Sequence, residues 1–230
     1  MRIAACVLLA ATVLAWTGPA RAAKPPAVDW PTVFLGEHGG ANDPMLDLRR
    51  RRPVPEFALT DQHGRPLTQA VMQGRWTLLF FGYTHCPDYC PTTLGALRST
   101  LHRLERENPK LGDRLQVLFV SLDPFRDTPG ILNGYVAYFG AGFTGATGRP
   151  QELQRLTRLM GVNYDYTDTA TGASFGDILH APPGDYAVDH SADLYVFDDH
   201  ARLVEWIEPP HTPRRLADNL RRILHRYGGW

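Results

Sequence analysis

Cysteine is scarce in this sequence, and a net charge is lacking altogether. The 230 residues include three cysteines, Cys6, Cys86 and Cys90, which are too few for a disulfide-built scaffold. The 24 basic and 24 acidic residues cancel, which excludes a broad electrostatic attraction to nucleic acid or acidic lipid. Hydrophobic residues make up 43% and charged residues 21%, which favours one globular domain over a disordered, fibrous or multi-span membrane chain.

The apolar run near the N-terminus is also short. It covers residues 3–16, follows Met1-Arg2 and precedes Ala20-Arg21-Ala22. A positive start, a short apolar core and small residues at a cleavage point are typical of a secretory signal, so we predict a signal peptide over residues 1–22. The alternative is an uncleaved anchor, but about 14 apolar residues are fewer than the roughly 20 that cross a bilayer.

Removal of the signal would change the cysteine count. With cleavage after Ala22, Cys6 leaves and the exported chain keeps Cys86 and Cys90. Outside the cytosol, thiols tend to be oxidised. The remaining pair is therefore a disulfide, a redox couple, a metal site or an incidental pair of core cysteines.

The rest of the chain divides into a linker and one domain. Residues 23–53 are rich in proline, glycine and polar residues and include four arginines at 49–52, so we predict a linker there. The domain is predicted to cover residues 54–230. Strands alternate with helices in its middle, and a hairpin with a helix closes it, which is typical of an α/β sandwich around a mixed sheet.

Hydrophobic periodicity and capping residues predict the elements of this domain. The predicted strands are a hairpin at 57–60 and 65–68, buried strands at 76–83 and 114–122, an edge strand at 162–167, and strands at 186–189, 193–198 and 202–207. The predicted helices follow Cys90, start at Thr128-Pro129, cover 151–160 and start at Thr212-Pro213. Residues 168–185 are predicted to form a long loop.

The two remaining cysteines lie between the buried strand 76–83 and a helix. The partial positive charge at a helix N-terminus lowers the pKa of nearby thiols, so both cysteines are predicted to be reactive. A C-x-x-C sequence here would indicate a thioredoxin redox motif, but three residues separate Cys86 from Cys90. This spacing permits a disulfide and also lets both thiolates face one metal ion.

Three motifs in this sequence resemble those of one family. They are FGYTHCPDYCP at 81–91, SLDPFRDTP at 121–129 and YAVDHSADLYVFD at 186–198. Together they are similar to the Sco/SenC family, thioredoxin-fold copper chaperones that assemble the CuA centre of cytochrome c oxidase. The resemblance implies a thioredoxin-like sandwich with a mixed central sheet, flanking helices and an added N-terminal hairpin. It also implies that Cys86, Cys90 and His190 bind one copper ion.

Copper chemistry agrees with this ligand set. Two thiolates suit the soft Cu(I) ion, and an added imidazole also permits Cu(II). A disulfide between Cys86 and Cys90 would remove the thiolates, so the redox state of the pair would control loading.

Further side chains are candidates for auxiliary copper contacts. Asp123 follows a predicted strand, although a structural role at the next helix N-terminus is the favoured interpretation for it and for Asp127. His85 adjoins Cys86, but adjacent side chains seldom point the same way, so we expect it to form a local hydrogen bond. His180 and His211 lie in loops that could flank the site.

Two functions remain open. The favoured hypothesis is a periplasmic copper metallochaperone, which is not an enzyme and which passes copper to the cytochrome c oxidase subunit that carries CuA. The alternative is a thiol-disulfide oxidoreductase that reduces the copper-site cysteines of a partner. Other periplasmic copper or thiol-redox proteins are further expected partners, and nucleic acid is not. An uncleaved N-terminus would hold the protein at the inner membrane, facing the periplasm.

Overall fold

The computed structural model describes residues 51–176, 179–228 and 230. The predicted signal peptide, with Cys6, and the predicted linker as far as Arg50 lie outside the described residues. Within the described ranges, no helix has both the length and the apolar composition needed to cross a membrane.

The described residues form ten strands, of which seven belong to one mixed sheet. The strands are β1 (Ala58–Asp61), β2 (Pro66–Thr68), β3 (Trp76–Gly82), β4 (Leu115–Ser121), β5 (Phe143–Thr147), β6 (Tyr164–Asp168), β7 (Ser174–Gly176), β8 (Tyr186–His190), β9 (Leu194–Phe197) and β10 (Leu203–Ile207). The main sheet has the order β10-β9-β3-β4-β5-β1-β2. Strands β3, β4 and β5 are parallel, and the other pairs are antiparallel.

Four α-helices occur in the same described ranges: α1 (Tyr89–Glu107), α2 (Pro129–Ala137), α3 (Pro150–Met160) and α4 (Pro213–Tyr227). The predicted threonine-proline starts are confirmed. Thr128 accepts a hydrogen bond from the Ile131 N–H at 3.4 Å, and Thr212 accepts one from the Arg215 N–H at 3.3 Å. These side chains satisfy N–H groups that a helix start leaves without partners.

The core lies on both faces of β3 and β4. Every residue of these two strands is buried, as their nearly continuous apolar sequences predict for central parallel strands. The hairpin β1–β2 continues the sheet beyond β5. The predicted α/β class, mixed sheet and N-terminal hairpin are therefore confirmed.

A second, antiparallel sheet has the order β7-β6-β8, and the sequence did not reveal it. Residues 162–167 were expected to form an edge strand, but β6 pairs on both sides. The predicted loop at 168–185 contains β7, whose three residues are too few to show an alternating pattern. This small sheet matters for the site because β8 ends at His190, which pairs with Tyr164 of β6.

The last residues of the predicted linker contact the domain. The carbonyl of Arg52 accepts a hydrogen bond from the Leu203 N–H at 2.8 Å, and Pro53 forms a β-bridge with Arg202. The Arg51 guanidinium lies 4.8 Å from the centre of the Tyr227 ring. Residues 51–53 thus pack on the edge of the main sheet and on α4.

Candidate metal centre

The two cysteines lie where β3 gives way to α1. Cys86 is in the connecting turn and is half-buried, whereas Cys90 is in the first turn of α1 and is fully buried. Both thiols are free. The Cys90 N–H donates a hydrogen bond to the Cys86 sulfur at 3.4 Å, so the helix start directs a backbone donor at that sulfur.

Gly82, the last residue of β3, leaves the space that Cys90 occupies. A Cβ atom at this position would lie 2.8 Å from the Cys90 sulfur and 2.8 Å from Cε2 of Phe119. Both distances are far below van der Waals contact. The glycine is therefore required here by the close approach of the Cys90 side chain to the strand.

The two thiols differ strongly in acidity. The pKa of Cys86 is lowered to about 6, chiefly by a hydrogen bond from the Cys90 thiol and further by the backbone N–H groups of Cys90, Asp88 and Tyr89, against an opposing effect of burial. The pKa of Cys90 is raised by that same hydrogen bond, by burial and by the charge on Cys86. The predicted lowering of the thiol pKa thus agrees with Cys86 but not with Cys90, because Cys90 donates the shared proton and is buried.

His190 lies beside Cys90, and its ring orientation is fixed. Its Nε2 atom is 4.0 Å from the Cys90 sulfur, and its Nδ1 atom is 2.8 Å from the Ser191 carbonyl oxygen. A carbonyl oxygen only accepts hydrogen bonds, so Nδ1 carries the proton and Nε2 presents its lone pair towards the sulfur. Burial lowers the pKa of His190, which favours this neutral form.

Aromatic side chains hold the imidazole on two sides. The rings of Phe80 and Tyr83 each meet the His190 ring edge-on, with centroids 6.3 Å apart. Phe80 is fully buried and comes from β3, the strand that leads to the cysteines. The structure therefore places His190, the last residue of β8, beside Cys90, which in turn contacts Cys86 in the turn after β3. One thiolate, one thiol that can lose its proton and one neutral imidazole are a donor set that suits Cu(I).

His85 forms the local hydrogen bond that was expected. Its exposed ring places Nδ1 3.2 Å from the Thr84 hydroxyl and 3.6 Å from a carboxylate oxygen of Asp127. The ring is therefore engaged beside the cysteine turn, and its role as an auxiliary copper contact stays a prediction.

Asp123 is fully buried, and both of its carboxylate oxygens have protein partners. Oδ1 accepts a hydrogen bond from the Tyr186 hydroxyl at 2.8 Å, and Oδ2 forms an ion pair with Arg126. These bonds agree with the structural role that the sequence favoured, although their targets are β8 and Arg126 rather than the N-terminus of α2.

Of the two loop histidines, His211 is buried behind α1 and has partners at both ring nitrogens. Nδ1 is 3.3 Å from the Tyr89 hydroxyl, and Nε2 is 2.9 Å from the Ile207 carbonyl oxygen. These contacts of His211 stabilise the first turn of α1. The other loop histidine, His180, is exposed.

Asp127 has a role that sequence reasoning missed. It was expected to stabilise the N-terminus of α2, but its carboxylate instead accepts a hydrogen bond from the Thr84 N–H at 2.8 Å. The signal available in the sequence was the motif at 121–129, which contains both Asp123 and Asp127. The motif does not show which element each carboxylate contacts.

Comparison of the sequence with known proteins shows a consistent likeness. Residues 48–225 match the family model SCO1/SenC. A protein of Stutzerimonas stutzeri is 36% identical over 181 residues, which cover 78% of this chain and 79% of the relative. Its name describes it as a proposed copper-binding protein. The mitochondrial SCO2 homolog of Bos taurus is 33% identical over 197 residues, which cover 85% of this chain and 69% of the relative.

Solved structures show the same likeness in three dimensions. ScoI of Arabidopsis thaliana with copper bound has a TM-score of 0.65 and 30% identity, and the match covers 75% of this chain and 98% of that one. ScoI of Bradyrhizobium japonicum with copper bound has a TM-score of 0.61 and 33% identity, with 75% and 99% of the two chains covered. These structures confirm the thioredoxin-like fold. The chain belongs to the SCO1/SenC family.

Proposed function

We propose that this protein is a metallochaperone that binds one copper ion through Cys86, Cys90 and His190 and delivers it to the CuA centre of cytochrome c oxidase. The observation that carries the proposal is the 4.0 Å approach of His190 Nε2 to the Cys90 sulfur, while Nδ1 is tied to a carbonyl. Family membership supports it, because similar ScoI structures contain copper.

The three ligands have different parts in loading and release. Cys86 is partly accessible and ionised at neutral pH, so it offers the first contact to an arriving Cu(I) ion. Cys90 loses its proton when its sulfur coordinates, and His190 adds a neutral donor without changing protonation. A site of three donors leaves room for an incoming ligand of the recipient, so copper can pass by exchange of one ligand at a time.

The proposed location is the periplasm. The export signal predicted from the sequence at residues 1–22 supports it, and an uncleaved N-terminus would place the domain on the same side of the inner membrane. The proposed recipient is the oxidase subunit that carries CuA, and other periplasmic copper or thiol-redox proteins are further candidates as partners.

Copper titration of the reduced protein tests the proposal. We expect about one copper ion per chain and thiolate-to-Cu(II) charge-transfer bands, since two sulfur ligands are present. Cys86→Ser, Cys90→Ser and His190→Ala are each expected to weaken binding at least about tenfold and to alter these bands. Absorption and electron spin resonance spectra would be recorded for each variant.

His180→Ala is the matched control for the copper titration, since His180 is exposed and its loss should leave binding unchanged. Wild-type protein that binds no copper, or a His190→Ala variant with the wild-type spectrum and affinity, would refute the proposal.

The difference between the two thiols favours a second function, that of a thiol-disulfide oxidoreductase. The Cys86 thiolate would attack one sulfur of a partner disulfide, and the partner's other sulfur would leave as a thiolate. Cys90 would then give up its proton and attack Cys86, forming the Cys86–Cys90 disulfide and releasing the reduced partner. Two electrons pass from the pair to the partner.

Alkylation with iodoacetamide tests this thiol asymmetry. At pH 7 we expect Cys86 to be labelled at least about tenfold faster than Cys90, because thiolates react and Cys86 is the ionised thiol. Its labelling should slow as the pH falls below its pKa of about 6. Mass spectrometry of the labelled peptides measures both rates, and equal rates would contradict the assignment of Cys86 as the ionised thiol.

A His190→Ala variant that keeps biological activity without binding copper would favour the oxidoreductase over the metallochaperone.

A further inference from the structure

The segment between β4 and α2, residues 122–128, contacts both the turn that carries Cys86 and the strand that ends at His190. It does not itself supply a proposed ligand. We refer to it as the β4–α2 loop. Its two carboxylates, Asp123 and Asp127, are both fully buried. Buried carboxylates are costly unless hydrogen bonds satisfy them, so the groups that they bind are held firmly.

One carboxylate holds the cysteine turn. Asp127 accepts hydrogen bonds from the Thr84 N–H at 2.8 Å, from the Thr84 hydroxyl at 2.5 Å and from the Ser121 hydroxyl at 2.5 Å. Thr84 precedes Cys86 by two residues. Because both the backbone and the side chain of Thr84 are bonded to one buried group, the start of the cysteine turn is fixed to the loop.

The other carboxylate holds the strand that ends at His190. Asp123 accepts the Tyr186 hydroxyl hydrogen bond at 2.8 Å, and Tyr186 is the first residue of β8. Arg126, paired with Asp123, donates to the Tyr186 carbonyl oxygen at 3.0 Å and stacks 3.6 Å from the centre of its ring. Tyr186 is thus bonded to the loop through its hydroxyl, its ring and its backbone.

The loop itself is a closed turn, which makes the two attachments one unit. The Asp127 N–H donates to the Asp123 carbonyl oxygen at 2.9 Å, and the Asp123 N–H donates to the Ser121 hydroxyl at 3.0 Å. A shift of one carboxylate would therefore move the other. The cysteines follow β3 of the main sheet and His190 ends β8 of the small sheet, so this loop is a direct hydrogen-bonded connection between the segments that carry the proposed ligands.

We propose that the β4–α2 loop is a positioning element that sets the separation between the Cys90 sulfur and His190 Nε2, and through it the affinity and ligand geometry of the copper site. The inference rests on the proposed ligand set, which it deepens. Asp123, Arg126 and Asp127 act through Tyr186 and Thr84 and do not bind the metal.

Tyr186→Phe isolates the connection to β8, because it removes one hydroxyl and keeps the ring on which Arg126 stacks. We expect copper affinity to fall about tenfold, as is typical when a group that orients a metal ligand is lost. The Cu(II) spectrum should shift towards that of His190→Ala, while the alkylation rate of Cys86 stays at the wild-type value. Tyr138→Phe is the matched control, since Tyr138 is 75% exposed and directly follows the last residue of α2.

Thr84→Val isolates the connection to the cysteine turn. It removes the hydroxyl that Asp127 accepts and keeps the shape of the side chain. We expect the alkylation rate of Cys86 to change at least about threefold, since the orientation of the turn sets which backbone donors reach the sulfur. The contact between His190 and Ser191 should remain.

A measurement on the metal-free protein separates this proposal from the proposed function. In nuclear magnetic resonance spectra, wild-type protein should show cross-peaks between the His190 ring and the Cys90 side chain, and Tyr186→Phe should weaken them. If the cross-peaks weaken in Tyr186→Phe while the variant is as stable in urea as wild type, the positioning role is supported. This holds even if wild-type protein binds no copper, because that result would refute only the proposed function. Unchanged cross-peaks in Tyr186→Phe would overturn the positioning role, whether the variant is as stable as wild type or less stable.

Discussion

Replacement of Gly82 by alanine is expected to destabilise the protein by about 1–3 kcal/mol and to displace the Cys90 sulfur from its place against β3. The added methyl group would lie 2.8 Å from that sulfur and 2.8 Å from Phe119, and both neighbours are fully buried. A cysteine side chain is too short to move aside without its helix. The expected result therefore combines a lower free energy of unfolding with weaker copper binding.

Gly95→Ala provides the matched control. Gly95 is in α1, and a Cβ atom there would have no atom within 4 Å apart from the nearby backbone of its own helix. Alanine is the better helix former, so this variant is expected to be more stable by about 1 kcal/mol. Urea unfolding of both variants, followed by circular dichroism, measures the difference. A Gly82→Ala protein as stable as wild type would show that the Cys90 sulfur does not pack closely against Gly82.

Replacement of Phe80 by alanine is expected to have a still larger effect, about 3–5 kcal/mol, because it would open a cavity in the middle of the core. The ring is fully buried and lies 6.2 Å from that of Phe119 and 6.3 Å from that of His190, centroid to centroid. Loss of the ring would also free the imidazole on one side. We therefore expect this variant to combine a loss of stability with a disturbed copper spectrum.

Phe81→Ala separates these two effects. Phe81 follows Phe80 in β3 and points to the opposite face of the sheet, where its ring meets Tyr195. It is just as deeply buried, so its loss should cost a similar amount of stability. Calorimetry and copper titration of both variants make the comparison, with the conservative pair Phe80→Leu and Phe81→Leu used if the alanine variants do not fold. An equal change in the copper spectra of the two positions would argue against a role of Phe80 in holding His190.

The main sheet was predictable because its signals are local. The apolar runs of β3 and β4 and the threonine-proline starts of α2 and α4 each depend on a few adjacent residues. The small sheet was not predictable in this way, because the position of β6 as its central strand depends on pairing with β7 and β8, which come later in the chain. Pairing partners are a property of the fold and leave little mark on a five-residue segment.

The candidate site shows the same division. Its proposed ligands could be named from the three motifs, yet the acidity of Cys90 and the bonds of Asp127 could not. The raised pKa of Cys90 depends on one hydrogen bond to Cys86 in the preceding turn and on burial. Asp127 is 43 residues from Thr84 along the chain, so their hydrogen bond exists only after β3 and β4 have paired.

The wide separation of the proposed ligands along the chain has a consequence for the stability of the domain. An ion bound by Cys86, Cys90 and His190 would join positions 100 residues apart and so act as a cross-link that the unfolded chain lacks. At a free copper concentration about a hundred times the dissociation constant, such binding adds about 2.7 kcal/mol to the free energy of unfolding. Delivery of the cargo would then leave a less stable, more readily opened domain behind.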